Sequence, residues 1–380
     1  MNVLLDGRPL QGGSAVRGIG SYARGLLTGF ADINALQHVS LLLSRGRADT
    51  PEQSQLGIRA ARFRAPVVHR GLQPIVDPLF TSGAIAVEHP TLYHGIEFGL
   101  PVWSRVPVVV TVHDLIPFVM PELYPWAWRY RALVLYLLHR VTRVIAVSRS
   151  TANDVMRLAR VDDDRIDIIG EGVADHFRPR PPERAIAVRQ RHAGGRPFLL
   201  AVGTFEARKR PAVLADVSRR VREKHDVHLV IAGDQSIFLP AVRAALAESG
   251  VLQWTTITGH VPEDELAALY SAAECLVFTS AYEGFGLPPL EAMACGTPCV
   301  MFDNSSLPEV GQHGALLVHD GDAAAMADAI VGLLDERDER RRLSEEGRSW
   351  AARFTWRETA GRTLEVYRSL VSDRPGVESP

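Results

Sequence analysis

Lysine is almost missing from this chain. Of 42 basic residues among 380, only Lys209 and Lys224 are lysines, and the rest are arginines. Genome base composition produces biases of this kind. A lysine that persists against one marks a place where a compact ammonium is needed, because Lys and Arg are not interchangeable. Net charge is nearly absent too: 42 basic against 44 acidic residues leave −2, which removes any global electrostatic case for nucleic acid. The three cysteines, Cys275, Cys295 and Cys299, lack the spacing of a zinc site or a disulfide framework. No stretch approaches the roughly 18–20 uncharged apolar residues of a membrane span. No basic-then-apolar leader precedes Val3-Leu4-Leu5-Asp6, so the expectation is a cytoplasmic protein. What is present is a 46% hydrophobic chain with mean hydropathy +0.01, long enough for two domains of ordinary size.

The densest chemistry lies between Ser280 and Pro298. An apolar, strand-like run, Cys275-Leu276-Val277-Phe278, leads into a turn containing Gly284 and Gly286, and then into Pro288-Pro289-Leu290-Glu291-Ala292-Met293-Ala294. The latter reads as the start of a helix with Pro289 near its first position. Strand, glycine turn and helix N-terminus aim backbone N–H groups and the positive end of the helix dipole at one place, which suits a phosphate or diphosphate. Glu283, before the helix, and Glu291, read here as lying in its first turn, bracket that place. Acids repel phosphate, so their natural partners are the hydroxyls of a sugar or a ribose. A second basic feature follows the apolar run Phe198-Leu199-Leu200-Ala201-Val202-Gly203. Thr204-Phe205-Glu206 leads to Arg208-Lys209-Arg210 just before a helix. Cations there oppose the helix dipole unless an anion sits among them.

The spacing Glu-x7-Glu, with Gly-Phe-Gly-Leu-Pro between and Glu-Ala-Met-Ala-x-Gly-x-Pro after it, resembles the signature of retaining GT-B glycosyltransferases of family 4. The similarity extends over nearly the whole chain, through Thr111-Val112-His113-Asp114-Leu115-Ile116-Pro117, Gly170–Pro179 and Asn304–Val310, with details closest to bacterial mannosyltransferases of surface polysaccharide synthesis. It implies an α/β protein of two doubly wound Rossmann-like domains facing a central cleft. Alternating strand and helix patterns in both halves support that class independently. Residues 1–178 would form the acceptor-side domain and 179–196, rich in Pro, Arg and Glu, a linker. Residues 197–355 would form the nucleotide-sugar domain, and the helix 356–372 would return to the first domain.

The same resemblance assigns roles. Arg208 and Lys209 would hold the donor diphosphate, Glu283 the sugar hydroxyls and Glu291 the ribose. His113 would approach the donor sugar from the first domain. Gly203, Thr204, Val261, Phe285, Gly286 and Leu287 would line the donor, as would Gly18 and Gly20 from a glycine-rich loop with Gly12 and Gly13. Gly18-Ile19-Gly20-Ser21-Tyr22-Ala23 formally matches a dinucleotide fingerprint. It does not follow its strand at once, and Asp32 comes too early to be the ribose acid.

The implied reaction is metal-independent, same-face transfer of a hexose from a nucleotide-diphospho-sugar to a glycan or lipid-linked acceptor. GDP-mannose is the expected donor, with UDP- and dTDP-sugars, a nucleotide-sugar epimerase and a non-catalytic sugar-nucleotide-binding subunit as alternatives. No cofactor and no metal are expected; Asp162-Asp163-Asp164 reads as a solvated turn. Residues 126–143 mix Trp126, Trp128, Tyr136 and several arginines at helical spacing. They fit either a core helix with arginines along its edge or a peripheral contact with anionic lipid on the inner face of the plasma membrane.

Overall fold

The computed structural model describes all residues except 12–17, 46, 48–49, 64–72, 98, 234–236 and 373–380, together with the side chains of 73–75. Gly12 and Gly13 therefore lie outside the described residues. The chain divides into two compact units, Met1–Gly172 with Thr355–Pro380, and Val173–Phe354. Among the described residues no helix is long and apolar enough to cross a membrane.

The first unit holds seven strands: β1 (Val3–Asp6), β2 (Val39–Ser44), β3 (Arg59–Phe63), β4 (Leu92–Gly95), β5 (Val108–Val112), β6 (Arg143–Ala146) and β7 (Ile166–Ile168). They form one parallel sheet in the order β3-β2-β1-β4-β5-β6-β7. Parallel strands covered on both faces carry continuous apolar runs rather than alternation, and β5, Val-Val-Val-Thr-Val, is buried along its whole length. Val3 of β1 sits in register with Val39 on one side and Leu92 on the other, so the chain changes winding direction between β1 and β4.

The helix Trp356–Ser372 packs on the helix Gly18–Asp32 in this unit. Glycine makes that approach feasible: a Cβ at Gly25 would lie 2.0 Å from the Trp356 ring, and one at Gly29 2.1 Å from the Trp356 carbonyl oxygen. Trp356, Ala360, Leu364 and Tyr367 thereby join Tyr22, Leu26 and Phe30 in a buried cluster. Gly18 and Gly20 are not in a loop but open the helix Gly18–Asp32. The periodic burial of Tyr22, Leu26 and Phe30 extends the helix back over both glycines despite their entropic cost.

The second unit contains β8 (Phe198–Val202), β9 (His228–Ala232), β10 (Thr255–Gly259), β11 (Cys275–Phe278), β12 (Cys299–Phe302) and β13 (Ala315–Val318). The parallel order is β10-β9-β8-β11-β12-β13, with the reversal between β8 and β11. The segment read as a linker is largely helical, over Pro182–Ala193. Pro182 starts it, Gly194 closes it at φ 60°, and Val188 and Ala193 are buried. Its Arg and Glu residues are the solvated face of a helix packed on the helix Glu263–Ala272.

Candidate functional site

In an open parallel sheet, ligands bind at the carboxyl ends of the strands flanking the reversal of strand order. In the second unit those are the segments after β8 and β11. Gly203 leaves β8 at φ +134° and Gly233 leaves β9 at φ +124°. A Cβ on Gly233 would lie 2.6 Å from the Gly203 carbonyl oxygen. Only glycine lets the two chain exits pass this closely. With Gly259 ending β10 at φ +72°, three adjacent strands end in a glycine with positive φ.

Beyond Gly203 the chain forms a single tight turn over Ala207–Lys209, and Arg210 enters the helix Pro211–Arg222 from the left-handed region at φ 51°. Two bonds join this turn to the exit of β11. Thr279 Oγ1 donates to the Lys209 carbonyl at 2.7 Å, and Ala281 N donates to the Arg208 carbonyl at 2.8 Å. Arg208 and Lys209 are thus set against the loop that carries Glu283. Arg208 Nη1 donates to Glu283 Oε1 at 2.9 Å and to the Tyr282 carbonyl at 3.0 Å, while its Nε donates to Glu206 at 2.7 Å. Lys209 Nζ is hydrogen-bonded to the same Glu283 oxygen and lies 4.4 Å from the centre of the Phe278 ring. Arg210 does not join them. Its guanidinium grips Asp320 at 2.6 and 3.0 Å, which answers its clash with the helix dipole locally.

The cluster is dry. The side chains of Lys209 and Glu283 are only 8% and 12% exposed. Burial would raise the Glu283 carboxyl, but Lys209 and Arg208 overcome it and hold the group at about 2. Burial lowers the Lys209 ammonium against the opposing pull of Glu283. A buried carboxylate with two cations needs a rigid frame, and the exit of β12 supplies it. Ser305 Oγ accepts from Glu283 N at 2.9 Å. Ser306 Oγ lies 3.0 and 2.6 Å from the carbonyls of Glu283 and Phe285. Asn304 Nδ2 donates to the Ser280 carbonyl at 3.0 Å.

Gly286, at φ +124°, caps the helix Leu287–Ala294. The helix starts two residues earlier than the sequence suggested, because glycine lets the turn close before Leu287. Glu291 consequently falls beyond the first turn, where Tyr270 Oη donates to its Oε2 at 2.9 Å. Phe285 is buried and Leu287 half-buried at this helix entry. Thr204 is half-buried directly after Gly203, and Val261 half-buried just after β10. Two inter-strand spacings, about 10 Å in all, separate β10 from β8.

The structure thus brings Arg208, Lys209 and Glu283 into one cluster at the reversal point, with Gly203 and Thr204 at its entrance and the Phe285–Leu287 helix entry on the loop that carries Glu283. Gly233, Tyr270, Ser305 and Ser306 were missed by the sequence reading. A glycine ending an apolar strand marks Gly233, and Ser305 and Ser306 fall in the family-like run Asn304–Val310 without a role of their own, but nothing in the sequence marks Tyr270. Among the described residues no group of three His, Cys, Asp or Glu side chains is placed to hold a metal ion.

In the first unit, His113 follows β5 and is held on three sides. Its Nδ1 is 2.9 Å from Glu171 Oε1. The Tyr22 ring meets its ring edge-on at 4.6 Å between centres, and Thr151 Oγ1 donates to its carbonyl at 3.3 Å. Below it, buried His94 joins Thr111 at 2.9 Å and Tyr367 at 2.5 Å; burial pushes His94 down to about 3, with His113 adding to the shift. Gly18 and Gly20 lie at the start of the helix that carries Tyr22.

Residues 16–177 match the model of Glycosyltransferase Family 4 and residues 183–350 that of Glycosyl transferases group 1. The chain is 31% identical over 286 residues to O-antigen chain mannosyltransferase B of Escherichia coli, covering 73% of this chain and 74% of that protein. It is 33% identical over 247 residues to the D-inositol 3-phosphate glycosyltransferase of Nocardia farcinica, covering 62% of this chain and 54% of that protein. In fold it is similar to Anabaena HepE, solved in complex with UDP and glucose, with TM-score 0.78 and 17% identity over 97% of this chain and all of that one. The chain belongs to the family 4, group 1 glycosyltransferases, and each of its units is a doubly wound Rossmann-like domain of the GT-B class.

Proposed function

We propose that this glycosyltransferase moves mannose from GDP-mannose, with retention at the anomeric carbon and without a metal, to a hydroxyl of a glycan or lipid-linked glycan acceptor. The observation carrying the proposal is the buried Arg208–Lys209–Glu283 cluster at the reversal point of the second sheet. Breaking the anomeric C–O bond leaves an oxocarbenium-like sugar and a diphosphate. The barrier falls where positive charge awaits the leaving group in a water-poor setting. Arg208, Lys209 and the N–H groups at Phe285–Leu287 supply it. Glu283, the partner of both cations in the free protein, turns to the sugar hydroxyls once the diphosphate takes them over, and Glu291 holds the ribose. The acceptor oxygen bonds to the anomeric carbon on the face the diphosphate leaves, and its proton passes to the departing diphosphate oxygen.

Mannose is favoured by the Escherichia coli relative named as a mannosyltransferase. A UDP-sugar is the second reading, prompted by the UDP and glucose in the fold neighbour. The proposal places the protein in the cytoplasm, with peripheral contact to anionic lipid through 126–143. There Trp126, Trp128 and Tyr136 are 58%, 72% and 56% exposed beside exposed Arg129, Arg131 and Arg140, while Leu137 and Leu138 face the core. Failure to sediment with anionic vesicles would remove that part alone.

The deciding experiment is a thermal-shift panel of GDP, UDP, dTDP and ADP in chelator, followed by the anomeric coupling constant of any product. A ligand at 100 times its Kd adds about 2.7 kcal/mol. A shift with GDP supports the mannosyl reading, and a shift with UDP alone replaces it by the second. A silent panel rejects the donor site.

A further inference from the structure

A cavity of about 370 Å³ lies in the second unit outside the donor cluster, between the helix Arg337–Ala351 and the turn that precedes β13. His313, Glu345, Glu346, Ser349, Trp350 and Arg353 line it, and its volume falls among small-molecule sites, which run from about 300 to 1,000 Å³. Glycine locks its two walls together: a Cβ on Gly314 would lie 2.4 Å from Gly347 Cα and 2.5 Å from Met293 Sδ. Trp350 is half-buried and pinned at its edge, with Nε1 donating to the Val310 carbonyl at 2.7 Å. The His313 ring meets it edge-on at 4.8 Å between centres, and Arg353 Cζ stands 4.6 Å from the centre of the indole. On the inner side Trp350 meets Phe354 at 5.3 Å, and Phe354 meets Phe285 at 6.1 Å. A layer of aromatic rings thus separates this cavity from the loop that carries Glu283.

The aromatic wall is fixed, and the polar groups round it can turn to a ligand. Glu346 is held by Arg342 at 2.8 Å. Among the described residues the side chains of His313, Glu345 and Arg353 make no hydrogen bond and no ion pair. Charges of both signs face the one cavity, so two carboxylates disfavour an anion and a guanidinium disfavours a cation. A neutral polyol suits them all, because hydroxyls donate to carboxylate and imidazole and accept from guanidinium. The C–H face of a hexopyranose is apolar and covers an indole, leaving its hydroxyls to the groups at the rim. The contact of Arg353 with the indole is of the exposed cation–π kind, weak enough for a sugar ring to displace. We propose that this cavity is a second carbohydrate site, which holds a hexose unit of the acceptor or product glycan on Trp350 through hydrogen bonds to His313, Glu345 and Arg353. The site is read from the cavity itself; the choice of a mannose glycan as its guest rests on the proposed function.

The test follows the indole 1H–15N signals of the full chain, which has six tryptophans, with the Trp350 signal assigned by Trp350→Phe. The protein is titrated with α-linked mannotetraose and, separately, with maltotetraose, each with and without GDP. Mannotetraose should move the Trp350 signal saturably, and by the same amount when GDP is present. Loss of one hydrogen bond corresponds to about tenfold in affinity. His313→Ala and Glu345→Ala should therefore each weaken the tetrasaccharide by about that factor, with GDP binding and melting temperature unchanged. Both side chains are exposed, so neither variant threatens the fold. A response to maltotetraose alone keeps the site and replaces mannose by glucose as its guest. No saturable shift with either tetrasaccharide, a shift abolished by GDP, or full affinity in both alanine variants overturns the inference. If GDP does not bind while mannotetraose does, the donor reading fails and this site stands.

Discussion

The chain leaving β1 in the first unit and the chain leaving β8 in the second stand at equivalent places, since both sheets reverse their winding there. In the first unit the place is filled. Arg8 grips Asp6 through Nε at 2.8 Å and Nη2 at 2.6 Å, Tyr93 Oη lies 3.3 Å from the same carboxylate, and a Cβ on Gly99 would come within 2.3 Å of Asp6 Oδ2. In the second unit two cations share one carboxylate oxygen. A Cβ on Gly203 would meet nothing nearer than the Lys209 side chain at 3.7 Å. One crevice is filled by a single tight ion pair, while in the other two cations converge on one carboxylate oxygen, with Glu206 also on Arg208, beside a glycine strand end. The winding supplies the place, and the few residues after the strand decide whether it holds the fold or a ligand.

That contrast can be broken from either side. Removing charge from the second crevice should have the largest effect: Lys209→Ala is expected to lower transfer by about 10²–10³-fold, the usual loss for one preorganised charge stabiliser, measured as kcat with saturating donor. Removing charge from the first should act on stability instead. Asp6→Ala leaves a half-buried guanidinium with only Thr81 beside it and should cost up to about 3 kcal/mol, read by denaturant unfolding, with nucleotide affinity unchanged. Gly29→Ala, which drives a methyl into the Trp356 backbone, should cost about 1–3 kcal/mol and likewise spare nucleotide binding.

A further effect concerns acid. The Glu283 carboxyl is depressed from 4.5 to about 2, so it contributes stability that is complete above pH 4.5 and is lost as pH falls towards 2. Glu283→Gln should flatten acid unfolding in that window. A variant as acid-sensitive as the wild type would show that the carboxylate is not paired as described.

Much of this was legible in the sequence because the signals are local. Continuous apolar runs ending in Gly or a polar residue mark β5, β8, β9 and β11, and Glu283, Arg208 and Lys209 sit at such ends. Signals that depend on partners distant in sequence misled or were silent. Gly18 and Gly20 look like loop residues until Tyr22, Leu26 and Phe30 are seen against the final helix. The Arg- and Glu-rich 179–196 looks like a linker until Val188 and Ala193 are seen buried. Glu171 is 58 residues from His113, and no spacing rule links the end of one strand to the far side of another.

The central claim is that Arg208 and Lys209 await a diphosphate. Its most direct test is calorimetric titration of GDP into the wild type and Lys209→Ala, in chelator at neutral pH and moderate salt. The account predicts saturable binding by the wild type and at least tenfold weaker binding by the variant, consistent with one lost charge-assisted bond. Equal affinity in the two proteins would contradict it.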